Sequence, residues 1–126
     1  MKSAVLDAGA LIGLEKGDKR MVALVEVIVK YRVPAYVPAG VVAQVWRGTA
    51  RQHHTAVLLR SEAVRVMPLD ADTAKQVGLL LGATGQSDVT DAHVAYLTAS
   101  LGNAVVYTSD VEDIAGINPT LDVVAV

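Results

Sequence analysis

The chain has 126 residues, of which 52% are apolar and none is Cys or Phe, and its formal net charge at pH 7 is −2. This length suits one domain over residues 1–126, with a core built from Val, Leu, Ile and Ala. The absence of Cys excludes disulfides, thiolate metal sites and cysteine nucleophiles. Because Trp46 and four Tyr are its only aromatic residues, an aromatic platform for stacking single-stranded bases is not expected.

Charge is divided unevenly along the chain. Residues 1–65 hold ten Lys and Arg against five Asp and Glu, whereas residues 66–126 hold one against eight. Such asymmetry indicates either two surfaces with separate functions or simply solvated helices. Asp7 interrupts the first apolar run, and residues 92–109 include several polar side chains, so neither a signal peptide nor a membrane span is expected. We expect a soluble cytoplasmic protein.

Hydrophobic runs and turn residues predict secondary structure along the whole chain. In the first half we expect a strand at residues 2–6, a short helix through residue 14, a helix from 18 to 32 capped by Asp18, a strand at Ala35–Pro38, and helices at 39–48 and 51–62. In the second half we expect a strand at 63–67, a helix to residue 83 capped by Asp70, a helix at 88–101 capped by Ser87, a strand at 104–107, a helical turn opened by residues 108–110, and a final strand at 122–126. Strands that alternate with helices predict an α/β fold with a mostly parallel sheet.

Acidic and amide side chains follow the predicted strands. Asp7 lies directly beyond the first strand and Asp110 beyond the fourth. Asp91 lies in the first turn of the helix that leads into the fourth strand, and Gln44 lies one turn into the helix after the second. Since sites in open parallel sheets form at the carboxyl ends of the strands, we expect these four side chains to converge on one edge.

Several carboxylates at one place require a proton or a cation. Two unit charges about 4 Å apart repel by roughly 4 kcal/mol at an effective dielectric of 20. Ligands that are all oxygen favour Mg²⁺ or Mn²⁺ over zinc, and such a cation can activate water and hold a phosphodiester oxygen. The pattern therefore predicts phosphodiester hydrolysis. Each acid also has a purely structural interpretation, as an Asx-turn residue, a helix-terminal anion or a solvated charge.

A basic segment follows the second strand. Arg47 and Arg51 are four residues apart and share one face if the helix continues past Gly48. This segment is predicted to contact the phosphate backbone of a nucleic acid; the alternative is a solvated helix that keeps the protein soluble. Trp46 is assigned to the core or to an interface.

Four segments carry a family resemblance in their order and spacing. They are VLDAGALI at 5–12, VPAGVVAQVWRG at 37–48, SDVTDAHVA at 87–95 and VYTSDVEDI at 106–114. Together they resemble the PIN domain, in particular the VapC-type toxin ribonucleases of bacterial toxin–antitoxin pairs. The resemblance implies a three-layer α/β/α sandwich with a central, mostly parallel sheet of four to five strands. It also implies a Mg²⁺- or Mn²⁺-dependent endoribonuclease that acts on RNA, forms a homodimer and has a cognate VapB-like antitoxin.

The resemblance also assigns roles to single residues. Asp7, Asp91 and Asp110 fall on the family's metal-binding, catalytic acids. Second-line positions are Gln44, Asp88, Thr108, Ser109 and Asp113, with Thr108 or Ser109 supporting the metal or its water.

Gln44 departs from the family pattern, which has a glutamate at this position. An amide keeps a carbonyl oxygen but carries no charge, so it can ligate Mg²⁺ without neutralising it. We expect weaker metal affinity and room for a single metal. The alternative is a catalytically weak or inactive PIN-like module that binds RNA or the antitoxin.

Overall fold

A computed structural model describes residues 2–126, which form five strands and seven α-helices. In chain order these are β1 (Ser3–Leu6), α1 (Ala8–Glu15), α2 (Lys19–Tyr31), β2 (Ala35–Pro38), α3 (Ala39–Val45), α4 (His53–Arg60), β3 (Val64–Met67), α5 (Ala71–Thr84), α6 (Val89–Leu101), β4 (Ala104–Thr108), α7 (Val111–Ile117) and β5 (Asp122–Ala125). A 3-10 turn at Ala50–Gln52 joins α3 to α4.

The strands form one sheet in the order β3-β2-β1-β4-β5, and every neighbouring pair is parallel. Val5 in β1 lies opposite Tyr36 on one side and Val106 on the other. Contacts among α1 to α4 and among α5 to α7 assign these two groups to opposite faces of the sheet, the arrangement that right-handed crossovers produce. The predicted α/β/α sandwich is therefore confirmed, with five parallel strands. Chain order reverses between β1 and β4, so a crevice opens at their carboxyl ends.

The central strands are short apolar runs because both of their faces are covered. Val5, Leu6 and Val106 are completely buried, and the main core around them includes side chains from α1 to α4 on one face and from α6 and α7 on the other. A smaller cluster around Val77 and Ala92 fills the space among α5, α6 and α7. This packing fixes the carboxyl ends of β1 and β4 relative to the start of α6. Within residues 2–126, no helix has the length and apolar character needed to cross a bilayer.

The predicted N-caps of α2 and α5 are confirmed, but that of α6 is wrong. Asp18 accepts the Met21 N–H at 3.0 Å, and Asp70 caps α5 in the same way. For α6 the cap is Asp88 rather than Ser87, because the Asp88 carboxylate accepts the Asp91 N–H at 2.9 Å. A capping side chain bonds to the N–H of the second or third helical residue, which Asp88 reaches from its extended backbone.

Two further boundaries differ from the sequence prediction. Thr108 ends β4 and does not open the helical turn, since its N–H and C=O belong to the sheet. The end of α5 was predicted at residue 83, but the helix continues through Gly82 to Thr84 and ends at Gly85, whose φ of 70° is left-handed. A glycine inside a helix costs stability but does not end the helix; a glycine at the left-handed position does.

The segment after β2 also differs from the prediction. The helix that begins at Ala39 ends at Val45, because Trp46 turns to extended backbone, and Gly48 lies in the following loop. The next helix starts as a 3-10 turn and ends at Arg60, two residues short of the predicted end. The condition under which Arg47 and Arg51 share a helical face is therefore not met.

Candidate metal centre

Asp7 stands at the junction between β1 and α1. Its carboxylate is 2% exposed and accepts two hydrogen bonds, from the Ala8 N–H at 2.8 Å and from the Thr108 hydroxyl at 2.7 Å. These bonds use different oxygen atoms, so they fix the plane of the carboxylate as well as its position. Asp7 is thus held rigidly at the carboxyl end of the central strand.

Thr108 connects the two sides of the crevice between β1 and β4. Its hydroxyl is completely buried, donates to Asp7 and accepts the Asp110 N–H at 2.9 Å. One side chain therefore ties the end of β1 to the turn that carries Asp110. The sequence prediction gave Thr108 or Ser109 a supporting role; the structure gives Thr108 this contact, whereas Ser109 is exposed.

Ser109 matters instead through its close approach to Gly9 in α1. A Cβ atom at Gly9 would lie 2.3 Å from the Ser109 Oγ and 2.9 Å from its backbone N. Only glycine fits so close to another segment of backbone. The first turn of α1 and the β4–α7 connection are therefore in direct contact beside Asp7.

Asp91 comes from the opposite face of the sheet, in the first turn of α6. It is 7% exposed, and its N–H donates to the Asp88 carboxylate. Asp88 therefore acts on the backbone of Asp91, as the N-cap of the helix. Asp113 lies in the first turn of α7 and is exposed.

Three of the predicted residues meet at the carboxyl edge. Asp7, Asp91 and Asp110 each offer a carboxylate oxygen, and these oxygens all lie within 4.8 Å of one another. They come from three separate parts of the chain, as the positions of the strand ends led us to expect. Although Asp110 occupies the N-cap position of α7, its side chain makes no capping bond there. Its carboxylate belongs to the cluster instead.

Burial and mutual repulsion make it unfavourable for all the carboxyl groups of the cluster to be ionised together. Burial, with added repulsion from Asp88, Asp7 and Asp110, raises the pKa of Asp91 to about 7. Burial and repulsion from Asp7 and Asp113 also raise the pKa of Asp110. At neutral pH the three carboxyl groups therefore hold part of a proton, which a divalent cation would displace.

The donor set fits a hard cation. Three carboxylates that converge from rigid elements, in a chain without Cys, suit Mg²⁺ or Mn²⁺ better than zinc. His93 follows Asp91 in sequence but is buried, and burial lowers its pKa while Asp70 opposes that shift. The acid that interacts electrostatically with His93 is Asp70, which does not belong to the cluster.

Gln44 lies one helical turn beyond Gly40 in α3 and is exposed. A Cβ atom at Gly40 would lie 3.3 Å from the hydroxyl of Thr90, the residue that precedes Asp91 in the sequence. Since residues four apart share a helix face, Gln44 is on the side of α3 that faces the start of α6.

The two predicted RNA-binding arginines lie beyond α3. The guanidinium of Arg47 donates to the carbonyl oxygens of Ala43 at 3.2 Å and Trp46 at 2.8 Å, so it closes the end of α3. Arg51 is exposed in the 3-10 turn. Trp46 is 39% exposed, so of its two predicted locations the core is wrong, and the interface stays a prediction.

One buried polar residue in the connection between α3 and α4 escaped the sequence prediction. Gln52 is 2% exposed, and its side-chain amide bonds to backbone atoms of Val45, Arg47 and Gly48. An uncharged side chain within a predicted helix gives no periodic or charge signal. Gly48, four residues before it, is the sequence feature that indicates a break between two helices there.

Known structures share this fold at low sequence identity. FitAB bound to the IR36 DNA fragment matches with a TM-score of 0.64 and 18% identity, over 97% of this chain and 94% of that one. VapBC2 from Rickettsia felis, bound to a DNA fragment from their promoter, matches with a TM-score of 0.62 and 14% identity, over 97% of both chains. FitAcB from Neisseria gonorrhoeae matches with a TM-score of 0.58 and 19% identity, over 95% of both chains.

Comparison by sequence gives a family match but no individual relative. No curated protein sequence matches this chain significantly. The family model described as the PIN domain matches residues 4–115, which contain β1 from Ala4 onward, all of β2 to β4 and every acid of the cluster. The chain therefore belongs to the PIN domain family.

Proposed function

We propose that this chain is a metal-dependent endoribonuclease, the VapC-type toxin of a toxin–antitoxin pair, with residues 1–126 acting as one PIN-like unit. The observation that carries the proposal is the cluster of Asp7, Asp91 and Asp110, whose oxygens lie within 4.8 Å of one another. Membership of the PIN family and the likeness to the VapBC2 and FitAB structures support it.

The three acids are proposed as the catalytic, metal-binding residues. A Mg²⁺ or Mn²⁺ ion at such a site polarises a phosphodiester oxygen and lowers the pKa of bound water. Asp7 supplies a rigid carboxylate because Thr108 and the Ala8 N–H fix its plane. Asp110 is exposed and faces incoming RNA, whereas Asp91 loses its shared proton when the cation binds.

The partners follow from the same proposal. RNA is the substrate, with Arg47 and Arg51 beside α3 as contacts to its backbone. The antitoxin, a VapB-like protein made in the same cytoplasm, presents a basic side chain to the acidic cluster, because the cluster is repulsive and open. The chain acts as a homodimer. The structures of FitAB and VapBC2 are both described as two-component complexes, which is consistent with an antitoxin partner.

Gln44 favours a second candidate function. Its amide stands where the family has a glutamate, on the face of α3 that is directed to α6. With one charge fewer, the cluster would bind a cation more weakly, and the chain would then act as a binding module for RNA or for the antitoxin.

Cleavage of structured RNA separates the two candidates. The purified protein is incubated with RNA and Mn²⁺ or Mg²⁺, beside Asp7→Ala, Asp91→Asn and Gln44→Glu. Gln76→Glu makes the same amide-to-acid change on an exposed face of α5 and serves as the matched control. We expect cleavage to disappear in the first two variants, to persist or increase in Gln44→Glu, and to be unchanged in the control.

Each outcome decides between the candidates. If the wild type does not cut RNA but Gln44→Glu does, the binding-module function is correct. If cleavage persists after chelation, the metal proposal is wrong. Identical purification of all variants shows whether a contaminating ribonuclease is responsible, because such activity would be equal in every preparation.

A further inference from the structure

The connection between α3 and α4 is held by one buried amide. Residues 46–49 have no regular secondary structure. Gln52, which follows them in the 3-10 turn, is nevertheless buried, at 2% exposed. Its Oε1 accepts the N–H groups of Arg47 at 2.7 Å and Gly48 at 3.1 Å, and its Nε2 donates to the carbonyl oxygen of Val45 at 2.7 Å. Three backbone groups on both sides of Trp46 are therefore bonded to a single side chain.

This arrangement answers a need created by the early end of α3. The last carbonyl groups of a helix and the N–H groups that follow lack partners within the helix. Gln52 satisfies Val45, while the guanidinium of Arg47 satisfies Ala43 and Trp46. A primary amide supplies both the acceptor and the donor that these bonds use, whereas an ionised carboxylate lacks the donor, and a thioether has no donor and only a weak acceptor.

The bonded segment carries Gln44 and Arg47, which the sequence predicts to serve at the metal centre and in RNA binding. Gln44 directly precedes Val45, whose carbonyl Gln52 holds, and the backbone of Arg47 is bonded to Gln52 itself. Near Gly40, the same short helix packs against Thr90, which precedes Asp91. A movement of the end of α3 would therefore move Gln44 and Arg47 while the acids on β1, α6 and β4 stay in place.

We propose that Gln52 is a positioning residue that holds residues 44–48 in place for binding of the RNA backbone beside the acidic cluster. The RNA part of this inference rests on the proposed function. The mechanical part, that Gln52 fixes the segment, does not.

Trp46 makes the mechanical part measurable without any activity. It is the single tryptophan of the chain, it is 39% exposed, and it lies between the residues that Gln52 bonds. We expect Gln52→Met, which keeps the length of the side chain but no amide, to increase quenching of Trp46 fluorescence by acrylamide while far-UV circular dichroism stays unchanged. Gln76→Met on the exposed face of α5 is the matched control and leaves quenching at the wild-type value.

A second variant tests the chemistry of the amide and serves if Gln52→Met does not fold. In Gln52→Glu, the ionised carboxylate can accept from Arg47 and Gly48 but faces the Val45 carbonyl with a second acceptor. Protonation restores a donor, so Trp46 quenching of Gln52→Glu should return towards the wild-type value as pH is lowered. Wild type and Gln76→Glu, measured over the same pH series, show no such return.

RNA binding and metal binding separate positioning from a general loss of structure. We expect Gln52→Met to raise the KM for RNA about tenfold, the equivalent of one misplaced charged contact, while kcat and Mn²⁺ affinity stay near wild type. Unchanged Trp46 quenching in both Gln52 variants would overturn the inference. Increased quenching with an unchanged KM would reduce Gln52 to a stabilising residue and overturn the positioning role. If the wild type neither binds nor cuts RNA, the proposed function and the RNA role fail together, and the fluorescence result still decides whether Gln52 holds the segment.

Discussion

The two edges of the sheet treat acidic side chains in opposite ways. At the amino edge, Lys2 before β1 pairs with Asp122 at the start of β5, and Arg32 before β2 pairs with Glu62 before β3 at 3.7 Å. These are the ion pairs that residues 2–126 form. At the carboxyl edge lies the cluster of Asp7, Asp91 and Asp110, in which Asp7 accepts from the Thr108 hydroxyl and the Ala8 N–H rather than from a basic side chain.

The difference shows that the acidic cluster does not arise because the chain has too few basic side chains. The first 65 residues carry ten Lys and Arg, and two of them already neutralise acids at the amino edge. At the carboxyl edge the fold instead brings carboxylates together, with the pKa of Asp91 raised to about 7 by burial and by its acidic neighbours. Groups with such perturbed pKa values are concentrated at functional sites.

Removing one charge from each edge should give the largest contrast. In Asp7→Asn the amide oxygen can still accept the Ala8 N–H, but the charge is gone from the centre of the cluster. We expect metal-dependent cleavage of labelled RNA to fall by about 100-fold or more. Asp122→Asn, the same change at the amino edge, should leave cleavage unchanged. Equal loss in both variants would contradict a special role for the carboxyl edge.

Thr108 tests whether the cluster depends on its hydroxyl support. In Thr108→Val, a change of similar volume, both Asp7 and the Asp110 N–H lose a buried partner, so we expect a loss of about 1–3 kcal/mol in the free energy of unfolding. Mn²⁺ affinity measured by calorimetry should fall about tenfold or more.

A matched variant separates metal support from stability alone. Thr98 is also buried, and its hydroxyl donates to Val94 within α6, away from the cluster. Thr98→Val should lower stability without changing Mn²⁺ affinity, and Thr108→Ser should preserve both. If the two valine variants bind Mn²⁺ equally well, Thr108 has no role at the metal centre.

The pH dependence of stability gives an effect of intermediate size. The pKa of Asp91 rises from 3.8 to about 7 on folding, so between these values the folded state binds more protons than the unfolded state. The free energy of unfolding of the metal-free protein should therefore fall as pH rises from about 4 to about 7. Asp91→Asn should remove most of this slope and stabilise the metal-free protein at pH 8 by on the order of 2 kcal/mol.

Urea denaturation in chelator measures this slope directly. Asp72→Asn, an exposed acid in the first turn of α5, is the control and should keep the wild-type slope. Saturating Mg²⁺ should flatten the slope in the wild type, because the cation favours ionised Asp91. A wild-type slope that persists in Asp91→Asn would place the titrating group elsewhere.

The sequence located the cluster because its position follows from topology. Asp7 and Asp110 come directly after strands, and Asp91 begins the helix that leads back to the sheet, so parallel order alone brings them to one edge. Strand order and the crevice between β1 and β4 need no side-chain detail. The N-caps at Asp18 and Asp70 could also be predicted from the sequence, since each depends on a bond between residues that are only three apart.

The errors lie where side chains bond to backbone across irregular segments. The end of α3 depends on Gln52, seven residues beyond Val45, and the start of α6 depends on which of two adjacent good caps reaches Asp91. Trp46 was assigned to the core or to an interface, and the turn that Gln52 holds leaves it 39% exposed, outside the core. Periodicity and composition carry no information about such contacts.

The smallest expected effect concerns the Lys2–Asp122 pair at the amino edge. Both side chains are about half exposed, so Lys2→Met should change the free energy of unfolding by less than about 1 kcal/mol, and added salt should shrink the difference. Salt should act in the opposite direction at the carboxyl edge, where it screens repulsion and thus reduces the stabilisation gained from Asp91→Asn. In the metal-free protein, the free energy of unfolding should be lower than wild type in Lys2→Met and higher than wild type in Asp91→Asn. Raising NaCl should bring both variants closer to the wild type, which means that it changes the two differences with opposite signs. If salt changed both differences with the same sign, the two edges would not be electrostatic opposites.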